Sequence, residues 1–456
     1  MKSQPPVKEG QVISLSVTGL SHDGNGVGKY EDFAVFVPFA VPGEFVRVRI
    51  TQVKKTWARG KLLEVLEPHP DRTEPKCAVF EACGGCQSQH LTYEAQLRHK
   101  WKQVKDCFGR IAGMDDVVIH PVIGMEDPWR YRNKSQVPFG VSGGRVVAGF
   151  YRPGTHEIVD MESCLIQHAT NDRVVRAVKE LVRELRIPVY NEQTHRGVLR
   201  HVMARSATTG QLMVVLVTNG PELPKKRRLV DGLVKRLPDL TSLVQNINER
   251  RTNVILGPEN RVLWGEDCII DRIGHVEFTI SPHSFFQVNP MQTRVLYDQV
   301  VKLAALTGEE TVIDAYCGTG TIALYLANRA KRVLGVEIVP EAIRDARRNA
   351  ERNGIRHVRF ETGAAEDVMP RWLEEGIRPD VIVVDPPRKG CDPKLLETAV
   401  NMRPKRIIYV SCNPATLARD AKRLLELGYP TVEVQPVDMF PQTGHVECVA
   451  WMRRPD

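Results

Sequence analysis

At 456 residues the chain is too long for one ordinary hydrophobic core, so two or three domains are expected. Its 42% hydrophobic and 26% charged residues are typical of a soluble globular protein, and no apolar run reaches the roughly 18 residues of a membrane-spanning helix. The net charge of +8 permits a polyanionic partner without requiring one. A polar N-terminus without a signal peptide predicts a cytoplasmic protein, in which ten cysteines indicate metal binding or catalysis rather than disulfides.

Residues 1–66 contain five short strand patterns separated by turn signals, which predict a small β-barrel of the OB type. Six basic residues cluster on the strand faces and in one loop of this unit. Their clustering favours an RNA-binding surface, with Trp57 as a side chain on which a base could stack. The alternative is the solvated face of a half-buried sheet. The basic residues concerned are Arg47, Arg49, Lys54, Lys55, Arg59 and Lys61.

Three cysteines, Cys77, Cys83 and Cys86, lie close together, and two glycines between the last two relax the backbone of a metal-binding loop. A closed site needs a fourth thiolate, for which Cys164 with its polar, turn-like neighbours is the best candidate. Cys107 lies in a helical pattern and is expected in the core. A structural zinc site is the competing interpretation, but its usual pair of CxxC motifs is absent, so a [4Fe-4S] cluster is favoured.

Residues 67–280 are predicted to form a central mixed α/β domain that carries this cysteine loop. A basic amphipathic helix at about 93–111 could pack on the domain that follows. Two segments, residues 129–134 and 195–201, interleave basic residues with aromatic residues or histidine, which suits contact with an RNA backbone. Solvated strand edges would have a similar composition. The basic run at 225–228 is interpreted as a solvated helix start.

Residues 281–456 alternate strand and helix patterns, which predicts a parallel, helix-covered sheet. Its first strand ends at Asp314 and leads into a turn with Gly318 and Gly320, but the third glycine of a dinucleotide fingerprint is absent. The next strand ends in Glu337, whose carboxylate can accept both ribose hydroxyls of an adenosine. These two acids fit S-adenosylmethionine (SAM) better than NAD, whose pyrophosphate would need the helix N-terminus.

Two later strand ends carry reactive side chains. The first is followed by Asp385, two prolines that fix the backbone, and then Arg388. Amino-methylating enzymes have an aromatic residue after such prolines, so an exocyclic amine is not the expected target here. The second strand is followed by Cys412, just before a helix that begins near Pro414 and whose N-terminus stabilises a thiolate. A nucleophile and a buried structural cysteine are both open interpretations.

His445 and Glu447 alternate onto one face of a strand pattern near the end of the chain. Either side chain could accept a proton beside Cys412, provided that the fold brings the two segments together. The alternative is a surface acid on an edge strand.

Taken together, these features resemble the RNA 5-methyluridine (uracil-C5) methyltransferases. The similarity spans nearly the whole chain, from a TRAM-type barrel through the cysteine loop and the glycine turn to three later motifs. The chain resembles the 23S rRNA branch of this family, and most of all the dual-site enzymes of Gram-positive bacteria, rather than the shorter tRNA branch. The three motifs are Asp385-Pro386-Pro387-Arg388, Ser411-Cys412-Asn413-Pro414 and Gly444-His445-Val446-Glu447.

The resemblance implies a Rossmann-like SAM-dependent methyltransferase domain that follows an OB-like (TRAM) β-barrel and a central mixed α/β iron–sulfur domain. It implies Cys412 as the nucleophile and Glu447 as the proton acceptor. Some relatives have Asn in place of Thr321, so a backbone contact is the alternative there. The residues implied to hold a [4Fe-4S] cluster are Cys77, Cys83, Cys86 and Cys164. Those implied to surround SAM are Gln287, Tyr316, Glu337 and Asp385, together with Asp314, Gly318, Gly320 and Thr321.

The implied substrate is a uridine of 23S rRNA, with tRNA as the alternative, and neither DNA nor a membrane is an expected partner. The chain is expected to act as a monomer. An RNA 5-methylcytosine methyltransferase would use the same cysteine chemistry. A radical-SAM enzyme would need a three-cysteine cluster with an open iron, which four ligands do not leave. The non-enzymatic alternative is an RNA chaperone that uses the barrel during ribosome assembly.

Overall fold

The computed structural model describes residues 5–455, and it begins with a closed five-stranded barrel. The alternation in the fourth strand shows why the barrel forms, because Val46, Val48 and Ile50 point into its core while Arg47 and Arg49 face solvent. The predicted OB-like barrel is therefore confirmed. Its strands are β1 (Val12–Leu20), β2 (Gly26–Tyr30), β3 (Phe33–Val37), β4 (Phe45–Val53) and β5 (Trp57–Glu67), in the order β1-β2-β3-β5-β4.

A helical segment follows the cysteine loop. Helix α1 (Tyr93–Cys107) begins where the Thr92 side chain accepts a hydrogen bond from the Ala95 N–H, and it continues as a π-helical turn at Phe108–Ala112. Strand β6 (Val118–Ile119) comes next. In the middle of α1, Lys100 is buried and forms an ion pair with Asp438, with 2.6 Å between Nζ and Oδ1. A residue from the far end of the chain thus compensates this buried charge.

The central region is a mixed seven-stranded sheet in the order β13-β12-β11-β10-β7-β8-β9, with two helices packed on it, and a separate hairpin follows. Within it Arg200 is buried and donates to the Asn248 and Arg250 carbonyls, so this part of the predicted basic segment is structural. The elements are β7 (Lys134–Ser142), β8 (Arg145–Tyr151), β9 (Ile158–Asp160), α2 (Ala169–Leu185), β10 (Leu199–Ser206), β11 (Leu212–Thr218), α3 (Lys226–Arg236), β12 (Leu240–Ile247), β13 (Glu259–Gly265), β14 (Ile269–Ile273) and β15 (Val276–Ile280).

The last part of the chain forms an eight-stranded, doubly wound sheet in the order β18-β17-β16-β19-β20-β22-β21-β6. Strands β16 to β20 are parallel and carry helices on both faces, which explains why all four residues of β19 are buried. The elements are α4 (Pro290–Ala304), β16 (Thr311–Ala315), α5 (Thr321–Ala327), β17 (Arg332–Glu337), α6 (Pro340–Arg352), β18 (Val358–Thr362), α7 (Ala365–Glu374), β19 (Val381–Val384), α8 (Pro393–Asn401), β20 (Arg406–Ser411), α9 (Pro414–Glu426), β21 (Thr431–Val437) and β22 (Glu447–Arg453).

The segment from α1 to β6 packs with this last sheet, although it precedes the central region in sequence. Val104 and Phe108 share a hydrophobic core with Ala418 of α9 and Val434 of β21. Strand β6 adds an eighth strand beside β21, where Ile119 pairs with Val434. The eight-stranded sheet is thus completed by residues 118 and 119, which precede the central region in sequence. No helix within residues 5–455 is long and apolar enough to cross a membrane.

Candidate active site

A cavity of about 800 Å³ lies at the carboxyl edge of the eight-stranded sheet, where ligands bind in open α/β folds. Asp385 and Cys412 line this cavity because each directly follows a parallel strand, β19 or β20. Glu447 lines it from the start of β22, and the loop of residues 77–86 forms another part of its wall. The predicted catalytic residues and the predicted metal loop therefore face one common space.

Strand pairing brings Cys412 and Glu447 side by side. Strands β20 and β22 are antiparallel with Ser411 opposite Cys448, so the next position of the ladder sets Cys412 beside Glu447. Cys412 is half-buried, whereas Glu447 is only 6% exposed. Because β22 lies between β20 and β21, Glu447 is not a surface acid on an edge strand.

The environment of Cys412 opposes ionisation of its thiol. Burial raises the pKa of Cys412, the neighbouring Glu447 and Asp385 raise it further, and only Arg388 among the close charges lowers it. The helix N-terminus that the sequence predicted is present, since the Asn413 side chain caps α9 by accepting from the Ala415 N–H at 3.1 Å. Its expected stabilisation of a thiolate is outweighed by burial, to which two carboxyl groups from other segments add.

Three carboxyl groups meet at this edge of the sheet. Burial raises the pKa of Asp385 to about 7, and burial together with Asp385 raises the pKa of Glu447 well above its usual value. Asp314, at the end of β16, is also buried, and neither of its oxygens has a hydrogen-bond partner within the described chain. Buried carboxyl groups without partners are costly unless a donor or a cation enters the site, so the arrangement suits a positively charged ligand.

The glycine turn after β16 lies beside these acids. Gly318 and Gly320 have φ values of 54° and 80°, which glycine adopts readily, and Tyr316 has a φ of 65°, which is strained for its residue type. The Gly318 N–H donates to the Glu337 carboxylate at 3.2 Å, so the turn and the acid of the next strand form one unit. Thr321 accepts from the Tyr297 hydroxyl at 2.8 Å, which occupies its side chain.

The remaining predicted SAM residue, Gln287, lies in the segment between β15 and α4 and lines the cavity with Asp385. Its backbone carbonyl accepts from the Asn133 amide at 3.3 Å, which fixes it to the central sheet. The structure thus brings Gln287, Asp385, Cys412 and Glu447 into one cavity. The other predicted SAM residues do not line that cavity but surround the neighbouring glycine turn; they are Asp314, Tyr316, Gly318, Gly320, Thr321 and Glu337.

The four predicted metal-binding cysteines, Cys77, Cys83, Cys86 and Cys164, also line the cavity. Burial is the main reason that the pKa of Cys86 is raised to about 12 and that of Cys164 to about 11. The three other thiols add to the effect on Cys86, which shows that all four are neighbours. Within residues 5–455, however, no group of three or more His, Cys, Asp or Glu side chains is arranged to hold a metal ion.

The cavity also holds two cations from the segment 129–134 that the sequence singled out for RNA contact, and two aromatic rings that the sequence did not assign to the site. Arg132, which forms an isolated β-bridge with Gln167, and Lys134, the first residue of β7, both line the cavity. Burial lowers the pKa of Lys134 to about 8. Phe285, which is 71% exposed, and Phe440 bring aromatic rings to the same space. The two-residue spacing of the cations was a usable signal, whereas nothing in the sequence placed Phe440 near Cys412.

The doubly wound sheet, its glycine turn and the acid at the end of β17 define a SAM-dependent methyltransferase fold. The solved structure of the Pyrococcus abyssi tRNA (uracil-54, C5)-methyltransferase, in complex with S-adenosyl-L-homocysteine, is similar to this chain with a TM-score of 0.80 and 31% identity. The match covers 96% of this chain and 99% of that one.

Comparisons of sequence give the family. Residues 268–455 match the tRNA (uracil-5-)-methyltransferase family model, and residues 6–63 match the TRAM domain. A protein of Halalkalibacterium halodurans is 56% identical over 98% of both chains, and one of Bacillus cereus strain ATCC 14579 is 53% identical over 99% of both; each is described as an uncharacterized RNA methyltransferase. The chain belongs to the RNA uracil-C5 methyltransferase family, and the predicted TRAM barrel and use of SAM are confirmed.

The raised pKa of Asp385 predicts that Asp385→Asn stabilises the ligand-free protein in a pH-dependent way. The folded-state pKa of about 7 lies above the usual value of 3.8 for aspartate, so the wild type loses stability as pH rises from about 4 to 7, and the variant does not. The free energy of unfolding of Asp385→Asn should exceed that of the wild type by roughly 2 to 4 kcal/mol above pH 7, and the difference should vanish below pH 4. Urea unfolding across this pH range measures it.

Asp367→Asn is the control, because Asp367 is an exposed carboxylate in α7 that pairs with Lys394 on the surface. It should show no such gain. A stability difference between wild type and Asp385→Asn that stays constant from pH 4 to 8 would contradict the raised pKa.

Proposed function

We propose that the enzyme methylates C5 of uridine in 23S rRNA, with Cys412 as the nucleophile and Glu447 as the base. The observation that carries this proposal is the pairing of β20 with β22, which sets a thiol and a buried carboxyl group side by side in one cavity. A carbon that must be made nucleophilic and then deprotonated needs this pair of groups. The non-catalytic role of an RNA chaperone would not require it.

In the proposed reaction the sulfur of Cys412 adds to C6 of the uracil ring, which breaks the 5,6 double bond and moves its electrons toward C5 and O4 as an enolate. SAM would supply an electrophilic methyl group, to which C5 bonds as the bond from that methyl carbon to the sulfonium sulfur breaks, with S-adenosylhomocysteine as the leaving group. Glu447 takes the proton from C5, the double bond reforms, and Cys412 leaves. The raised pKa of Glu447 makes this carboxylate a stronger base than an exposed glutamate, which suits removal of a proton from carbon.

The residues that would hold SAM fit it on chemical grounds. The unpartnered, buried carboxylate of Asp314 can accept hydrogen bonds from the ligand or lie near its positive charge. The glycines of the turn allow close approach, and Glu337 suits ribose hydroxyls. We propose these contacts together with those of Gln287 and Asp385. Because its side chain already accepts from Tyr297, Thr321 would contribute its backbone; Tyr316, Gly318 and Gly320 complete the set.

The proposed RNA surface has two parts. All six basic residues that the sequence singled out on the barrel are exposed, and Trp57 packs its ring edge-to-face with Phe36 at 5.7 Å while staying partly accessible. Arg132 and Lys134 supply positive charge inside the cavity. Such a distribution suits phosphate contacts that lead a single-stranded loop toward Cys412. Since the substrate is ribosomal RNA, the proposal places a monomeric enzyme in the cytoplasm and excludes DNA as a partner.

Methylation of tRNA is the second candidate function, because the similar Pyrococcus abyssi enzyme is named for uracil-54 of tRNA. Purified enzyme, labelled SAM and transcripts of 23S rRNA and tRNA separate the two. We expect label in 5-methyluridine of the rRNA transcript at a rate at least about tenfold above tRNA, as read by nucleoside mass spectrometry. Faster labelling of tRNA would reassign the substrate, and 5-methylcytidine as the product would refute uridine methylation.

Glu447→Gln should trap the covalent RNA adduct, because Cys412 can still add to C6 but the C5 proton can no longer be removed. Methyl transfer should produce a species of reduced mobility on a denaturing gel, with turnover lowered by about 10² or more. Cys412→Ala should abolish both adduct and product. Cys268→Ala, in the loop before β14, is the matched cysteine control and should behave like wild type. Normal turnover by Glu447→Gln without a trapped species would rule out this base.

We further propose that Cys77, Cys83, Cys86 and Cys164 hold a [4Fe-4S] cluster in a central unit of residues 67–280, between a barrel unit of residues 1–66 and a catalytic unit of residues 281–456. Four clustered thiols, three of them partly buried and that of Cys164 buried, are the donor set that such a cluster requires. A single ion draws its ligands to one point, whereas a cubane holds each cysteine on a different iron. The lack of a site for a single ion among residues 5–455 is compatible with this difference.

Anaerobic purification tests the cluster. We expect about four iron and four sulfide per chain with a brown colour, and loss of most iron in Cys86→Ser. Cys107→Ser is the control, because Cys107 lies at the end of α1 and not in the cavity, and should keep its iron. A colourless protein with one zinc per chain would replace the cluster with a zinc site.

A further inference from the structure

Residues 438–446 form the loop that joins β21 to β22, and we call this segment the base loop because it leads directly into Glu447. Phe440, Thr443 and His445 of this loop line the cavity. The position of Glu447 therefore depends on how the base loop is held. Little of that support comes from the strands that the loop connects.

Most hydrogen bonds that reach the base loop from other segments come from residues 87–131, and Asn289 and Gln292 supply two more. Lys100 of α1 pairs with Asp438 and donates to the Phe440 carbonyl at 3.0 Å. Tyr131, next to the cavity residue Arg132, donates its hydroxyl proton to the Pro441 carbonyl at 2.9 Å. The amino-terminal third of the chain thus holds a loop that belongs to the catalytic sheet.

Gln442 is the centre of this arrangement. It is 2% exposed and has a φ of 69°, in the left-handed region that glutamine rarely adopts. A buried residue persists in such a conformation only where its surroundings determine it. Here both the N–H and the carbonyl of Gln442 are hydrogen-bonded to residues outside the base loop, so contacts from outside the loop impose the conformation.

Two sets of hydrogen bonds fix Gln442. Gln96 of α1 forms a reciprocal pair with it, accepting from the Gln442 N–H at 3.0 Å and donating to the Gln442 side-chain oxygen at 3.0 Å. The Gln442 carbonyl accepts from the N–H groups of Gln87 and Ser88 at 3.0 and 3.1 Å. Gln87 directly follows Cys86, so one peptide bond separates a proposed cluster ligand from a residue that holds the base loop.

We infer that Gln442 is a positioning residue that transmits the order of the cysteine loop to Glu447. This inference rests on the proposed roles of Glu447 and of the four cysteines. An ordered cysteine loop presents the N–H groups of residues 87 and 88 to Gln442, which keeps the base loop in its strained conformation. When the cysteine loop loses its order, the base loop relaxes and Glu447 moves away from the uracil ring.

Loosening of the base loop should slow removal of the C5 proton but not addition of Cys412 to C6. Cys412 belongs to the β20–α9 connection and not to the base loop, so its addition to C6 proceeds when the base loop is loosened. Removal of the C5 proton is impaired, because this step requires Glu447 to lie in the correct position relative to the uracil ring. A small displacement of a catalytic group lowers the rate by one to two orders of magnitude. Loosening should therefore lower kcat about tenfold, leave KM for RNA within about twofold, and let the covalent adduct accumulate.

Gln96→Leu and Gln442→Asn test this. Leucine removes both bonds of the reciprocal pair, whereas asparagine tolerates the left-handed conformation but is too short to reach Gln96. Gln435→Leu is the matched control, because Gln435 of β21 also ties the catalytic sheet to an earlier segment, by donating to the Pro121 carbonyl at 2.8 Å, but lies outside the base loop. Steady-state kinetics, adduct quantification on denaturing gels and hydrogen exchange of residues 438–447 are measured for each.

We expect both test variants to show the kcat loss, the accumulated adduct and faster exchange of the base loop, with the control unchanged. Cys86→Ala, examined by hydrogen exchange alone, should show faster exchange in the base loop but not in β17. Wild-type exchange of the base loop in Cys86→Ala, or wild-type kcat in both glutamine variants, would overturn the inference. If Glu447→Gln fails to trap an adduct, the proposed function itself fails, which is a separate result.

Discussion

The register between β20 and β22 is the constraint on which the site depends. In an antiparallel ladder a shift by one residue turns every side chain to the opposite face of the sheet, so the pairing of Ser411 with Cys448 decides whether Glu447 faces Cys412 or a helix. Burial of β22 between two neighbours fixes this register, because its apolar residues fill the cores on both sides. A catalytic pair from two distant segments is thus held by ordinary hydrophobic packing.

This packing has an electrostatic consequence. Asp314, Asp385 and Glu447 are brought to the edge of the sheet that carries the Cys412 thiol, and burial raises the pKa of each of the three carboxyl groups. Arg388 is the nearest compensating charge for Cys412 and Glu447. Without ligands, such a site lowers the stability of the protein. A cationic methyl donor together with a polar nucleobase offsets the cost of burying these carboxyl groups. Affinity for the substrates and instability of the empty site have the same origin.

Sequence reasoning succeeded where one local pattern carries the information. The barrel follows from alternation in β1 and β4, and the sheet with its glycine turn from repeated strand-turn-helix signals. It failed where distant segments meet. Nothing near Lys100 indicates its pairing with Asp438, and nothing near Cys412 indicates the burial that, together with two acids from other segments, raises its pKa. Local spacing likewise did not show that the cysteine loop and Cys412 share a cavity, because that proximity is a property of the assembled sheets.

The edge strand β6 has a consequence for how the chain reaches its native state. Residues 118 and 119 pair with residues 433 and 434, so a contact of very long sequence separation closes the catalytic sheet. During synthesis α1 and β6 leave the ribosome long before β21 exists, and the residues of α9 and β21 that share a core with Phe108 are made only near the end. The segment from α1 to β6 stays partly unfolded until residues 433 and 434, nearly the last ones translated, are made. Throughout that interval the protein is exposed to aggregation and proteolysis.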